Sequence, residues 1–350
     1  MVKNKLLKAT LVCSILLYGV STEKLVMAAE SDPQMLAVES PETEDTILQV
    51  TESEEIQENQ WNLDMISWPR EKDMSEDQET YAKIKVAVLD SGVSYTTDIK
   101  LVDSVNLISG EEGVDSFYED VSGHGTSVAG IIGAQDNGEG VTGVNPYVSL
   151  YSVKVLDDNN EGTVGRIIDG IEWCINHDIN IINMSFGMET DSKALHRAVK
   201  KAHRAGILMI AAVGNDYGAA QYPASYPEVM AVGSVCVDGE IEQMQANNSE
   251  ILAPGETVPT VGFLDDIALT NGTSMAAPHV TGAASIIWAE HPEKSAEFIR
   301  ELLVKSTRKM QNQEDYAGVL DISMQKNNLK QQIVVKILQE QLKYQIMNKM

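Results

Sequence analysis

The strongest constraint on the fold is an alternation of apolar runs and helical patterns between residues 84 and 290. Apolar runs with the length and composition of strands lie at 84–89, 150–156, 179–184, 207–212 and 229–235. Helical patterns lie at 125–133, 164–177, 193–205 and 274–290. Strands that are apolar throughout and separated by helices form mostly parallel sheets covered on both faces. The sequence therefore predicts an α/β fold in three layers, with a mostly parallel central sheet flanked by helices.

The charge balance excludes one class of function. The chain carries 52 acidic and 26 basic side chains, and its formal net charge is −26. Proteins that bind nucleic acids present basic faces to the phosphates, so we expect no nucleic-acid partner. Three cysteines without a CxxC pair supply neither a disulfide framework nor a cysteine metal site. These observations favour an acidic protein that acts on uncharged or basic material.

The first 29 residues differ from the rest of the chain. Lys3, Lys5 and Lys8 form a basic start, and residues 9–20 are an apolar run too short to span a bilayer unaided. Small residues suited to signal peptidase follow between positions 26 and 29. The pattern predicts a secretory signal peptide over 1–29 and a secreted, extracellular protein. An uncleaved anchor is the alternative.

The segment after it is acidic. Residues 30–80 hold 16 acidic and 2 basic side chains, and up to residue 59 they include too little apolar surface to offset the entropy of ordering. We therefore expect a disordered acidic segment over 30–59, in the position of a pro-segment after the signal peptide, and a folded domain over 60–325.

Apolar residues recur at helical spacing in the last 25 residues, and they predict a C-terminal amphipathic helix over 326–350. We expect this helix to pack on the domain, and a membrane-surface helix is the alternative. No run after the signal peptide is long enough to span a membrane, so we expect no membrane span in the mature protein.

Three short segments carry the chemistry. Asp90 ends the strand-like run VLD, His124 begins the helical pattern HGTSVAG, and Ser274 begins the helical pattern SMAAP. In open α/β sheets, strand carboxyl ends and helix amino ends face the same crevice. An acid, a base and a nucleophile can therefore converge there.

Each residue type suits its position. Serine is a poor nucleophile until a base such as His124 takes its proton, and a buried Asp90 would fix the imidazole tautomer and stabilise the imidazolium. The free N–H groups at the start of its helix would let Ser274 stabilise an oxyanion. Asn215 follows the apolar run that ends at 212 and is the candidate for a second oxyanion donor.

The order Asp, His, Ser, together with DSG, GHGTSVAG, AAVGN and NGTSMAAPH, resembles the subtilisin-like serine proteases. That family is the reference example for this chain order and for the asparagine donor. The resemblance runs from about residue 60 to about residue 324 and implies a subtilisin-like three-layer sandwich. It also implies a serine endopeptidase that works through an acyl-enzyme. A non-catalytic peptide-binding relative is the less favoured alternative, because all four site residues are present.

The resemblance also implies how a peptide or protein substrate binds. In the family the substrate main chain lies as an added strand between two segments, which match Ser185-Phe186-Gly187 and the region around Gly162.

Specificity is a separate expectation. Asp216 follows Asn215 at what resembles the rim of the primary specificity pocket, and Gln221 stands where many relatives have glycine at its floor. Asp216 and Glu161 suggest a preference for basic residues, and two solvated surface carboxylates are the alternative.

Calcium is the one cofactor that the resemblance implies. The segment QDNGEGV at 135–141 resembles the family's calcium loop, in which Asn137 would be a ligand together with Asp98 and Gln60. Hard oxygen donors of this kind suit Ca²⁺. An ordinary polar turn is the alternative.

Within the family two biological roles remain open. One is broad protein degradation. The other is removal of a leader peptide from a secreted precursor, as in the lantibiotic leader peptidases, whose HGTSVAG and NMSFG motifs look similar to those here. About 30 residues lie between the predicted signal peptide and residue 60, too few to fold alone, which weakens the case for autocatalytic maturation.

For the oligomeric state, we expect a monomer.

Overall fold

The computed structural model describes residues 37–39 (backbone only), 60–68, 74, 78–108, 120–216, 218–241, 245, 248–309 and 317–323. All of them belong to one compact unit, Gln34–Met350. The predicted signal peptide, the predicted C-terminal helix and most of the predicted pro-segment lie outside the described residues, so those expectations stay predictions.

A nine-stranded sheet forms the centre of this unit, in the order β12-β13-β9-β8-β7-β6-β2-β4-β3. Its strands are β2 Lys85–Asp90, β3 Leu101–Asn106, β4 Ser149–Lys154, β6 Ile181–Met184, β7 Leu208–Ala212, β8 Val229–Val235, β9 Ile251–Pro254, β12 Thr307–Arg308 and β13 Val319–Leu320. Every neighbouring pair in the sheet is parallel except β12 with β13. Two antiparallel pairs lie outside it: β1 Ala37–Glu39 with β5 Glu161–Thr163, and β10 Val258–Val261 with β11 Ile267–Thr270.

Seven helices occur in the described residues. They are α1 Trp61–Met65, α2 Gln78–Tyr81, α3 His124–Gly133, α4 Val164–Asn176, α5 Lys193–Arg204, α6 Thr273–Glu290 and α7 Ala296–Lys305. The four helical patterns read from the sequence agree with α3, α4, α5 and α6 to within one residue at each end. None of the helices among the described residues is both long and apolar enough to cross a membrane.

The sheet separates two apolar cores, because successive side chains of a strand point to opposite faces. Val86 and Val88 on β2 join the core that contains α3, α6 and α7, whereas Ala87 and Leu89 join the core that contains α4 and α5. Helices on both faces of a mostly parallel sheet confirm the predicted three-layer α/β fold. The same geometry brings the carboxyl end of β2 and the amino ends of α3 and α6 to one edge of the sheet.

Candidate active site

Asp90 and His124 form a buried pair where β2 ends and α3 begins. His124 Nδ1 lies 2.7 Å from Asp90 Oδ1, and the imidazole and carboxylate residues are 8% and 0% exposed, respectively. Asp90 Oδ1 also accepts a hydrogen bond from Ser91 N at 2.8 Å, while Asp90 Oδ2 is buried without a hydrogen-bond partner among the described residues. A carboxylate at Nδ1 makes this nitrogen the donor and leaves Nε2 as the proton acceptor.

Glycine permits the close approach of α3 to the end of β2. A Cβ atom on Gly125 would overlap Gly92 O and would lie 3.1 Å from the Asp90 Cβ. Gly123 precedes α3 with φ of 78°, a left-handed conformation that glycine adopts without strain. The GHG sequence therefore places His124 on a helix start that contacts the carboxyl end of β2.

Ser274 lies half-buried in the first turn of α6, and its carbonyl is hydrogen-bonded to a residue that follows a strand of the sheet. Pro278 has no N–H, so the carbonyl of Ser274 lacks the usual partner four residues on. Ser185 Oγ, just after β6, donates to Ser274 O at 2.8 Å instead. Asn183 Nδ2 donates to Ser185 Oγ at 2.9 Å, and Thr281 Oγ1 donates to Asn183 Oδ1 at 2.8 Å. This chain of bonds fixes the backbone of Ser274 relative to β6.

Asn215 is oriented with its amide N–H₂ toward Ser274. Its Oδ1 accepts hydrogen bonds from Thr273 N and Thr273 Oγ1, both at 2.9 Å. The point that a Cβ on Gly272 would occupy lies 2.8 Å from Asn215 Nδ2, 3.2 Å from Ser274 Oγ and 3.4 Å from Asn215 Oδ1. The donor end of the amide and the serine hydroxyl therefore flank one point, which Gly272 leaves open.

The two segments expected to bind the substrate main chain differ in what they offer. Ser185 and Phe186 are each 2% exposed and the ring of Phe186 lies in a core, so their side chains are not available to a ligand. Gly162 lies at the centre of β5, whose edge pairs with β1 in the register Val38↔Gly162. This edge therefore accepts an added antiparallel strand.

Gln221 fills the space between Gly187 and Gly214. A Cβ on Gly214 would lie 2.8 Å from both Cδ and Oε1 of Gln221, and a Cβ on Gly187 would overlap Oε1. Gln221 Nε2 donates to Asp216 Oδ2 at 3.2 Å, whereas Oε1 is buried without a partner among the described residues. Asp216 itself is exposed. Asp216 and Gln221 thus form a contact one residue from Asn215.

The three expected calcium ligands meet at the loop that follows α3. Asn137 Nδ2 donates to Asp98 Oδ1 at 2.8 Å, and Asn137 Oδ1 accepts from Glu139 N at 2.9 Å. Gln60 Oε1 accepts from Thr142 N at 2.8 Å, and Gln60 Nε2 donates to Thr142 O at 2.9 Å. The oxygen of each amide is therefore bonded to a backbone N–H of the loop.

The donor chemistry at this loop fits a hard cation. Burial raises the pKa of Asp98, the hydrogen bond from Asn137 offsets part of that shift, and the nearby Asp265 and Glu139 carboxylates raise it further. Gly140, with φ of 64°, leaves open the space beside Asp98 Oδ2 that a Cβ would fill. No cluster of three or more His, Cys, Asp or Glu side chains suited to a metal occurs in the described part of the chain. A cation here would depend on Asp98 together with amide and backbone oxygens.

Two buried groups near the site were not predicted as part of it. Asp120 is 1% exposed and accepts hydrogen bonds from the start of α3 and from Ser91. The available signal was an acidic residue shortly before a helix start, a position that favours side-chain bonds to free N–H groups. The second group is His279 on α6, whose pKa burial lowers to about 4, although its bond to the backbone of Met275 acts in the opposite direction.

Together the fold and the site define a class. A buried carboxylate–imidazole pair, a hydroxyl at a helix amino end and an oriented amide N–H₂ are the parts of a hydrolase with a serine nucleophile. The model of the subtilase family matches residues 82–328 of this chain, so the chain belongs to that family. It is a subtilisin-like serine endopeptidase.

Curated relatives agree with this assignment. Subtilisin DY of Bacillus licheniformis is 40% identical over 230 residues, 63% of this chain and 82% of the relative. Subtilisin E of Bacillus subtilis strain 168 is 38% identical over 252 residues, 69% of this chain and 65% of the relative. The minor extracellular protease Epr of the same strain is 36% identical over 251 residues, 71% of this chain. The match spans only 38% of Epr.

Proposed function

We propose that this chain hydrolyses peptide bonds with Ser274 as nucleophile, His124 as base and Asp90 as the carboxylate that orients His124. The observation that carries the proposal is the 2.7 Å contact between buried Asp90 and His124, at the sheet edge where Ser274 begins α6. His124 Nε2 takes the proton of Ser274 Oγ as that oxygen attacks the peptide carbonyl carbon. The negative charge of Asp90 stabilises the imidazolium that results.

The oxyanion is stabilised by Asn215 Nδ2 and by the N–H of Ser274 at the amino end of α6. Asn215 suits this role because Thr273 occupies its Oδ1 and so turns Nδ2 to the side of Ser274 Oγ. The imidazolium then gives its proton to the leaving amine as the C–N bond breaks, and an acyl-enzyme remains. His124 next deprotonates a water that attacks the acyl carbon. The imidazolium then returns a proton to Ser274 Oγ as the acyl C–O bond breaks and the carboxylic acid product is released.

Labelling by a fluorophosphonate tests this assignment. Ser274 Oγ would displace fluoride from phosphorus, and labelling of the folded wild type with one phosphonyl group is expected. Ser274→Ala should not label. Ser149→Ala is the matched control and should label at the wild-type rate. Ser149 lies at the amino end of β4, whereas Asp90 lies at the carboxyl end of the neighbouring parallel strand β2. Failure of the folded wild type to label would favour a non-catalytic peptide-binding protein.

The substrate main chain is proposed to bind as a strand added to β5, opposite the backbone of Ser185-Phe186-Gly187. Support comes from β1, which already pairs with β5 through Ala37↔Thr163 and Glu39↔Glu161. Residues 30–59 are accordingly proposed to be a pro-segment, within which β1 occupies this edge until the segment is removed. If removal is autocatalytic, wild-type protein should lose the segment and Ser274→Ala should keep it. Equal retention in active wild type and in Ser274→Ala would refute autocatalytic removal.

Basic residues near the scissile bond are the proposed substrate preference. Asp216 and Glu161 are both exposed, Asp216 next to Asn215 and Glu161 at the start of β5. The formal charge of the chain is −26, and a field of that sign attracts cationic peptides, most strongly at low salt. Cleavage of a peptide library should favour substrates with Arg or Lys. Equal rates with and without these residues would refute the preference.

Calcium is proposed to bind at the loop after α3, held by Asp98, Asn137 and Gln60. The ion would add no catalytic group and would stabilise the loop against the start of the domain. Removal of calcium with a chelator should lower the thermal midpoint of wild type, and Asp98→Asn should remove that effect. An unchanged thermal midpoint of wild type after addition of the chelator would refute the calcium site.

Secretion is proposed from the signal-peptide pattern of residues 1–29, and the relative Epr is a minor extracellular protease. Amino-terminal sequencing of protein from the culture medium tests it. A start near residue 30 or later supports cleavage, whereas retention of the protein in the cell would contradict it.

A further inference from the structure

A second buried carboxylate lies behind the Asp90–His124 pair. We propose that Asp120 is a positioning residue, which holds Ser91 and the start of α3 so that the His124 ring meets Asp90 in the reactive geometry. The inference rests on the proposed roles of Asp90 and His124. It adds to them a residue that does not touch the substrate.

Five donors converge on the Asp120 carboxylate, which is 1% exposed. Oδ2 accepts from Thr126 N at 2.8 Å and from Thr126 Oγ1 at 2.7 Å. Oδ1 accepts from Gly123 N at 3.0 Å, from Ser122 Oγ at 2.9 Å and from Ser91 Oγ at 2.8 Å. Four of these donors belong to the residues on either side of His124, so the carboxylate fixes the first turn of α3.

The fifth donor links Asp120 to Asp90. Ser91 Oγ lies 2.8 Å from Asp120 Oδ1 and 3.2 Å from Asp90 Oδ1, and it accepts from Gly125 N at 3.0 Å. A hydroxyl has one proton, so Ser91 donates to one carboxylate at a time. The shorter distance favours Asp120. Ser91 therefore joins the end of β2 to the residue that follows His124, and Asp120 sets the direction of that hydroxyl.

Charge is the second contribution of Asp120. Among the described residues, the charged groups around this cluster are Asp90, His124 and Lys154. The Nζ of Lys154 donates to Ser91 O at 2.8 Å and contacts Asp158 at 3.1 Å. A second negative charge near the imidazole favours its protonated form, which is the form that develops during attack. Loss of this charge should weaken the base, whereas a merely structural contact would not alter its titration.

Three variants of the full chain test the proposal, with phosphonylation by a fluorophosphonate followed from pH 5 to pH 9. Asp120→Asn should lower the rate roughly 10- to 100-fold, because small displacements of catalytic groups cost factors of this size. It should also move the acid limb of the profile down by roughly 0.5–1 pH unit. Ser91→Ala should lower the rate at least about tenfold for the same geometric reason.

Ser94→Ala is the matched control for Ser91→Ala. Ser94 is buried in the same segment, but its Oγ donates to the backbone oxygen of Asp120 at 3.3 Å and not to the carboxylate. It should react within about twofold of wild type, since it removes no bond of the carboxylate.

The outcomes separate this proposal from the proposed function. Wild type that does not label refutes the proposed function itself. If wild type labels, either of two results for Asp120→Asn overturns the positioning role. One is an acid limb at the same pH as in wild type, and the other is a labelling rate within twofold of wild type. Equal losses in Ser91→Ala and Ser94→Ala also overturn it. If Asp120→Asn does not unfold cooperatively, the Ser91→Ala and Ser94→Ala comparison decides the outcome.

Discussion

Acidification should destabilise this protein through His279, a buried residue that takes no part in the proposed catalysis. The ring is fully buried on α6, with Nδ1 2.8 Å from Met275 O and Nε2 2.9 Å from Asn62 Nδ2. These partners fix the neutral tautomer in which Nδ1 donates to Met275 and Nε2 accepts from Asn62. Protonation would place a donor at Nε2 opposite the donor of Asn62.

The pKa difference sets the size of the effect. Burial lowers the pKa of His279 from 6.5 to about 4 in the folded protein. Because the folded pKa is the lower one, the stabilisation is complete above the unfolded pKa and is lost as the pH falls through 6.5 toward 4. The loss is about 2 kcal/mol at pH 5 and about 3 kcal/mol at pH 4, and domains of this kind have about 5–15 kcal/mol in total.

Urea unfolding of two variants isolates this contribution. Both carry Ser274→Ala to prevent self-digestion, and the second also carries His279→Gln, which has no titrating ring. Between pH 7.5 and pH 4, the variant that keeps His279 should lose about 3 kcal/mol more than the variant with the His279→Gln substitution. Other titrating groups, such as Asp98, are common to both and cancel in the difference.

Equal losses in the two proteins would refute the reasoning. A measurable difference that is reduced to about 1 kcal/mol would instead indicate that the Asn62 amide turns over on protonation. Asn62 Oδ1 is buried without a partner among the described residues, so a turned amide would offer the imidazolium an acceptor.

Three further predictions concern the site and the cysteines. Asn215→Ala should lower kcat about 10²- to 10³-fold with little change in KM, because one oxyanion donor is lost, and steady-state kinetics on a peptide substrate would show it. Gly272→Ala should lose more activity than that, since φ is 114° and the new Cβ would fill the point between Asn215 and Ser274; an active variant would contradict the oxyanion geometry. Burial strongly raises the pKa of Cys174, so iodoacetamide should modify it only after unfolding, and mass spectrometry of the native protein would reveal any earlier reaction.

The sequence predicted the central strands because their side chains are buried on both faces. Such strands, β8 for example, form continuous apolar runs and are easily found. β3 was missed because it is an edge strand with polar, half-exposed residues, and β13 because two residues have no periodicity. β9 was missed as well, although all four of its residues are buried, because a run of four residues that ends in proline is too short and too irregular to give a strand pattern. Length and composition, as well as burial, thus decided which strands the pattern could reveal.

Site residues were predicted where a motif ties them to an element. Asp90 ends a strand and Ser274 starts a helix, so their positions followed from the fold. Asp120 has no motif of its own, and although four of its five donors lie within six residues along the chain, its link to Asp90 through Ser91 forms only when the segment after β2 packs on the start of α3. Gln221 was expected at the pocket floor, but its contacts with Gly187 and Gly214 depend on tertiary packing.

Pro278 makes the position of Ser274, the proposed nucleophile, less dependent on the rest of its own helix. Because Pro278 lacks an N–H, the carbonyl of Ser274 accepts its hydrogen bond from Ser185 Oγ instead. This bond anchors the peptide group of Ser274 to the residue that follows β6. Small shifts or fraying in the later turns of α6 therefore need not displace Ser274. The later turns of α6 can adjust to changes in the surrounding core, while the Ser274 hydroxyl keeps its position relative to the sheet that also carries Asp90.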